Sequence, residues 1–212
     1  MNIGLFTDTY FPQVSGVATS IKTLKDALEA QGHQVYIFTS TDPKVPKNKF
    51  EPHIYRFSSV AYVGFKDRRL AFRGLIQAVE IAKSIQLDIV HTQTEFSLGL
   101  LGKIVGRQLK IPVIHTYHTM YEDYTHYVAK GLLIGPKGVG TIMKAYMMGM
   151  SAVIAPSQLV QETLLRYGVK APIRIIPTGV ALPNPSVARQ NLRDQFGFSS
   201  RQPVILSLGR LA

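Results

Sequence analysis

The chain has 212 residues, 46% of them hydrophobic and 17% charged, which is enough apolar material for a sizeable core and too little charge for a disordered chain. It contains no cysteine, so a disulfide framework and a cysteine-based zinc site are excluded. Lys and Arg number 24 against 13 Asp and Glu, a net charge of +11, which points to phosphorylated substrates or an anionic membrane surface as partners. The charge is spread along the chain with no basic arm and no nucleic-acid motif, so nucleic acid is not expected.

Asn2 to Thr7 is apolar almost throughout and reads as a buried parallel strand entered directly from Met1, with no secretion-signal pattern. A loop leads to Gly16, after which Val17, Ile21, Leu24 and Leu28 fall at helical spacing, with Gly32 placed to end the helix. Gln34 to Thr39 is a second strand, which makes a βαβ unit. Thr41 to Pro52 is proline-rich loop, and His53 to Phe57 is a short third strand. Leu70 to Ser84 reads as a helix with Leu75, Val79 and Ala82 inward. Leu87 to His91 is a fourth strand. Ser97 then caps a helix that runs to about Lys110 through Leu100, Leu101, Ile104 and Val105. Ile111 to Ile114 is a fifth strand. After Gly135-Pro136 a helix carries Val139, Ile142, Met143, Tyr146, Met147 and Met150 on one stripe. Ala152 to Ala155 is a sixth strand, Ser157 caps the next helix, and Ile173 to Ile176 is a seventh strand.

This alternation of strands and helices predicts an α/β, Rossmann-like parallel sheet covered by helices on both faces, spanning residues 1–180. Ala181 to Pro185 reads as a linker and Val187 to Phe196 as a short helix. Pro203 to Leu208 reads as the first strand of a second domain, so that 181–212 is the linker and the start of that domain. No run of about 18 apolar residues is present, so no membrane-spanning helix is expected.

The densest chemistry lies in His115-Thr116-Tyr117-His118-Thr119-Met120-Tyr121-Glu122-Asp123-Tyr124, just past the fifth strand. Open α/β sheets place ligand chemistry beyond the carboxyl ends of their strands. A histidine there can act as acid, base or hydrogen-bond partner, and Glu122 and Asp123 could orient a ring. His91 and Glu95 lie near the end of the preceding strand, but no metal-ligand spacing accompanies these histidines. Gly16 opens a helix whose N–H groups favour an anion. The G-x-G-x-x-G fingerprint is absent, so NAD or FAD is not indicated. Spacing alone leaves Gly16 open between a turn glycine and a phosphate contact. Two segments mix aromatic or methionine residues with Lys and Arg, a composition suited to a lipid interface. One holds Phe65, Arg68 and Arg69. The other runs from Tyr121 to Met150 with Lys137 and Lys144.

Several motifs in order resemble the N-terminal half of the retaining GT-B glycosyltransferases of family 4. They are Ile3-Gly4-Leu5-Phe6-Thr7-Asp8 with Pro12 and Ser15-Gly16-Val17, Asp88-Ile89-Val90-His91-Thr92-Gln93, Val153-Ile154-Ala155-Pro156-Ser157, Ile176-Pro177-Thr178-Gly179-Val180 and Gly209-Arg210-Leu211. Ser15-Gly16-Val17, Thr94-Glu95-Phe96-Ser97-Leu98-Gly99 and the His115–Tyr124 stretch are similar to the bacterial members that glucosylate diacylglycerol.

The resemblance implies a UDP-glucose donor, a 1,2-diacylglycerol acceptor and retention of α configuration. It implies a cytoplasmic place, peripheral on the inner face of the cell membrane. Gly16 matches the glycine that meets the donor diphosphate, His118 the active-site histidine near the donor sugar, and Arg210 the arginine that neutralises the leaving diphosphate. Tyr117 and Tyr121, with Phe65, Arg68, Arg69, Lys137 and Lys144, are candidate acceptor or membrane contacts. No cofactor is evident, although a divalent ion such as Mg bound through the diphosphate is compatible with the sequence. The family's paired donor-binding glutamates would lie beyond Ala212, so the chain is expected to be inactive alone. A family member with another acceptor, such as a glycolipid or cell-envelope polyol, and a non-catalytic membrane-surface module are the alternative readings.

Overall fold

In the computed structural model, residues 1–46, 49–61, 69–71, 74–122, 136–180, 192–199 and 201–207 are described. Seven parallel strands form one sheet: β1 (Asn2–Thr7), β2 (Gln34–Ser40), β3 (Ile54–Phe57), β6 (Ile89–Thr92), β7 (Val113–Thr116), β8 (Ala152–Ala155) and β9 (Ile173–Ile175). Their spatial order is β3-β2-β1-β6-β7-β8-β9. β4 (Ser59–Ala61) and β5 (Arg69–Ala71) make a separate antiparallel pair.

Side chains alternate across β1, so one strand feeds two cores. Ile3 and Leu5 pack with Val35, Ile37 and Ile21 of α1 (Gly16–Ala30). Phe6 points the other way, stacking on Phe38 at a centroid distance of 4.2 Å. That side is closed by Ala78 and Ala82 of α2 (Leu75–Ser84) and by Leu98, Leu101 and Val105 of α3 (Ser97–Leu109). A third core joins β8 to α4 (Pro136–Met147) and α5 (Gln158–Arg166) through Met143, Met147, Val153, Val160 and Leu164. The expected Rossmann-like sheet with helices on both faces is therefore present.

The fourth and fifth strands begin two residues later than their apolar runs suggest. The N–H of Leu87 donates to the Ala82 carbonyl at 3.0 Å, and that of Ile111 to the Gly106 carbonyl at 3.0 Å. Each apolar run thus starts by closing the preceding helix and only then enters the sheet. His91 and His115 consequently lie inside strands, and of these three histidines His118 is the one that lies beyond a strand end.

The expected helix from Leu70 is shorter, because 69–71 pair in β5 and Gly74 takes a φ of +113°, which no helix accommodates. Leu75 is consequently exposed, and Ala78 takes its place inside. Leu100 and Ile104 on α3, and Ile142 on α4, face outward, since the buried stripes follow Leu101–Val105 and Val139–Met143–Met147. The small second unit, Ala181–Ala212, carries α6 (Leu192–Gln195), whose Arg193 donates to the Ser199 and Gln202 carbonyls at 2.8 Å each. Residues 203–207 form no strand, since a strand needs a partner and none is provided among the described residues.

One buried carboxylate ties the carboxyl end of β1 to α3. Phe96 occupies the α3 N-cap position and supplies no side-chain cap. Asp8 does so from across the sheet: its Oδ1 accepts from the Leu98 N–H at 3.1 Å and from the Ser97 hydroxyl. Its Oδ2 accepts from Thr94 Oγ1 at 2.6 Å, and Thr94 Oγ1 in turn accepts from the Asp8 N–H at 2.9 Å. Ser97 is therefore not the cap expected of it. Its hydroxyl accepts from the Ala71 N–H at 2.7 Å and passes its own hydrogen to Asp8. Burial pushes the Asp8 carboxyl above its ordinary value, while the Ser97, Thr94 and Leu98 hydrogen bonds pull it back. Replacing Asp8 by Ala leaves two hydroxyls and an amide without their acceptor in a closed environment. Thermal denaturation of Asp8→Ala is expected to show a loss of about 2–4 kcal/mol. An unchanged melting curve would contradict the capping role.

Candidate functional site at the carboxyl edge of the sheet

The chain leaves β1 toward β2 and β3, then returns to the other side of β1 as β6. Open α/β sheets bind ligands where the strand order reverses in this way. The edge between β1 and β6 carries Asp8, Gln93, Thr94 and Glu95, and β7 beside it delivers Tyr117 and His118. All of these follow carboxyl ends of adjacent strands, and Gly16 follows β1 at the first turn of α1.

The histidines are sorted by burial and partner. His91 is buried within β6, with Nε2 2.7 Å from Thr116 Oγ1. Burial lowers its pKa to about 3, so it is neutral at pH 7. His115 is fully buried in β7, with Nδ1 2.9 Å from Thr92 Oγ1 and Nε2 3.3 Å from Glu95 Oε1. Its ring meets Tyr146 edge-on at 5.1 Å. His115 is thus a buried structural group that fixes Glu95. His118 is only partly buried, and its Nε2 lies 2.7 Å from Gln93 Oε1. Burial first, with His115 adding to it and Glu95 opposing, lowers its pKa to about 4. A neutral, partly open imidazole at a strand end suits hydrogen bonding to a polar substrate.

Glu95 lies between β7 and the segment that follows it. The Tyr121 hydroxyl donates to Glu95 Oε2 at 2.6 Å, while His115 holds Oε1. Tyr121 therefore anchors the start of the loop after β7. Tyr117 is fully buried against the methionine stripe of α4, so its ring reaches neither solvent nor a membrane surface. The apolar stripe of α4 needs a partner, and Tyr117 is part of it.

Gly16 begins α1 behind Ser15, whose hydroxyl accepts from the Ala18 N–H at 3.1 Å. A β-carbon built on Gly16 would meet no atom within 4 Å. Neither packing nor a left-handed backbone requires glycine at this position. Gly99 is the contrast. A β-carbon there would lie 1.8 Å from the Thr94 carbonyl oxygen and 2.5 Å from the Tyr146 hydroxyl, so α3 needs that glycine to seat the Thr94 loop.

Lys144 is exposed on α4. Arg69 and Lys137 belong to β5 and α4 through their backbone, and Phe65, Arg68 and Arg210 lie outside the described residues. Among the described residues, no group of three or more His, Asp or Glu is arranged to hold a metal ion, and no helix is long and apolar enough to cross a membrane. The same sheet edge carries a cavity of about 850 Å³ past β2 and β3. Its lining includes Thr41, Asp42, Glu51, Arg56 and Ser58, and Arg56 donates to Glu51 Oε1 at 3.1 Å and to the Phe11 carbonyl at 2.7 Å.

Sequence reasoning passed over Asp8 and Gln93 as site residues. Their signal was available: each is the first residue past the carboxyl end of a strand, at the edge where α/β sheets hold ligands.

The family model described as Glycosyltransferase Family 4 matches residues 14–182. The whole chain is 54% identical to an alpha-monoglucosyldiacylglycerol synthase of Streptococcus pneumoniae and 34% identical to one of Acholeplasma laidlawii, covering 49% and 56% of those proteins. The chain thus spans about half the length of these curated relatives. Among solved structures, sucrose-phosphate synthase from Thermosynechococcus elongatus superimposes with a TM-score of 0.58 at 22% identity, over 95% of this chain and 54% of that one. That likeness is one of fold, and it agrees with a GT-B half built on a Rossmann-like sheet. With the family model covering most of the sheet and the motifs seated at its carboxyl edge, the chain belongs to glycosyltransferase family 4.

Proposed function

We propose that the protein transfers glucose from UDP-glucose to 1,2-diacylglycerol at a membrane surface, with retention of configuration, and that this chain supplies the acceptor and membrane half. The observation that carries the reading is the 54% identity, over the whole chain, to the alpha-monoglucosyldiacylglycerol synthase of Streptococcus pneumoniae. The sheet edge is chemically suited to it. The C1–O bond to the diphosphate breaks, and a C1–O bond to the acceptor hydroxyl forms on the same face. The acceptor proton leaves with the departing diphosphate oxygen.

Negative charge grows on the diphosphate as it leaves. The N-terminus of α1 at Gly16 offers backbone N–H groups and a positive dipole end, with open space where a side chain would stand. Arg210, outside the described residues, matches in the family resemblance the arginine that neutralises the leaving diphosphate. His118, neutral near pH 7, holds a hydroxyl of the donor sugar without bringing a charge to the anomeric centre. A divalent ion would act through the diphosphate.

The net charge of +11 and the outer faces of α3 and α4 support a membrane-facing side. Leu100, Ile104, Ile142 and Met148 are exposed there beside Lys144. Lys103 of α3 donates to the Met148 carbonyl at 3.3 Å, so the two exposed helix edges adjoin. Phe65, Arg68, Arg69 and Lys137 are further contacts in this reading. Each Lys or Arg near an anionic surface contributes about 1 kcal/mol.

In the complete enzyme, His118→Ala should lower turnover by about 100-fold or more. Gly16→Ala should keep the thermal midpoint yet weaken UDP-glucose binding roughly tenfold. Near-normal turnover in the first or unchanged donor affinity in the second would sink the assigned roles. Sedimentation with vesicles should capture the protein on anionic lipid and release it at high salt. Equal capture on neutral vesicles would contradict charge-driven docking.

A further inference from the structure

Gln93 is the first residue past β6 and is 2% exposed. Its N–H donates to the Phe6 carbonyl at 2.8 Å, which fixes its backbone to β1. Its side-chain oxygen lies 2.7 Å from His118 Nε2, and its amide nitrogen has no hydrogen-bond partner among the described residues. An amide oxygen only accepts, so the ring nitrogen facing it carries the hydrogen. A neutral imidazole has one N–H. With that hydrogen on Nε2, Nδ1 is a lone-pair acceptor, and no donor to it is found among the described residues.

We propose that Gln93 is a positioning residue that locks His118 in its Nε2–H tautomer, so that Nδ1 accepts a hydrogen bond from a hydroxyl of the hexosyl donor. The identity of that hydroxyl's owner rests on the transferase reading; the tautomer does not. Burial supports the neutral ring, and the charged or titratable groups that face it are His115, which disfavours protonation, Glu95, which favours it, and the buried His91, whose own protonation His118 disfavours. The unpartnered Gln93 amide N–H groups point the same way. Leaving a buried donor unsatisfied costs about 1–3 kcal/mol, a cost that an oxygen of a bound polyol would offset.

The assignment also gives Gln93 a task that packing alone does not. A leucine of similar size would fill the space, but the ring would then choose its tautomer without a partner. A reversed amide would put NH₂ against Nε2 and make Nδ1 the donor, so the two orientations predict opposite ring nitrogens.

The test is ¹⁵N-histidine NMR of this chain at pH 7. The expected spectrum has a protonated-type Nε2 and an unprotonated-type Nδ1 for His118. Gln93→Leu should move both nitrogens toward averaged shifts. Gln93→Glu, which keeps the acceptor and the shape, should retain Nε2–H and raise the titration of the ring above about 4. In the complete enzyme, Gln93→Leu should lower kcat/KM for the donor about tenfold or more. Gln93→Glu should move the acid limb of its pH profile upward. An Nδ1–H ring in the wild type, or a tautomer and titration that neither variant shifts, would overturn the proposal. If the spectra behave as expected while the wild-type complete enzyme transfers no sugar, the transferase reading fails and the positioning role stands.

Discussion

The structure depends on the Asp8 carboxylate more than on any other single contact. It closes β1, caps α3 and holds the Thr94 hydroxyl, so the end of β1 and the 94–98 stretch, far apart in sequence, meet on two oxygens. Thr94 is returned to Asp8 through its N–H, and the Asp8 carbonyl accepts from Ser40 at 3.0 Å, which brings β2 into the same knot. Such a carboxylate tolerates burial because all its partners are donors, one of them at a helix N-terminus where negative charge is favoured. Gly99 completes the arrangement, since α3 can approach the Thr94 carbonyl and the Tyr146 hydroxyl only where no β-carbon intervenes.

From that knot the site follows along one loop. Gln93 and Glu95 flank Thr94, so fixing Thr94 fixes both neighbours. Gln93 faces His118, and Glu95 faces His115 and Tyr121. His115 inside β7 and His118 just beyond it therefore receive opposite treatment from two residues of one loop. His115 is enclosed and holds a carboxylate in place. His118 keeps a ring partly open, neutral because burial outweighs the pull of Glu95. The loop converts a purely structural contact at Asp8 into the geometry of a polar binding edge.

Much of this was legible in the sequence, and the failures have physical causes. The inner strands of the parallel sheet show as largely apolar runs, because a strand buried on both faces needs no alternation, and the edge strands β3 and β9 show through Ile54, Tyr55 and Phe57 and through Ile173 and Ile175 despite Arg56 and Arg174. The starts of β6 and β7 were misread because the same apolar residues, Leu87 and Ile111, first satisfy helix carbonyls. Ser97 carries a capping sequence signal, but a long-range carboxylate takes that position, and no local pattern reveals a partner 89 residues away. The histidine cluster was visible as composition. Its division into a buried His115 and an open His118 depends on strand register, where a shift of two residues decides which ring leaves the sheet. Gly16 was ambiguous from spacing, and the structure adds that no atom of the described residues requires it.

We propose that this carboxyl edge is half of a retaining glucosyl transfer site. The most direct measurement is the product itself: the complete enzyme with UDP-glucose and diacylglycerol, and the anomeric proton coupling of the purified glycolipid. The account predicts a monoglucosyl diacylglycerol with an α linkage. A β-linked product, or UDP-glucose left unconsumed with no glycolipid formed, would contradict it.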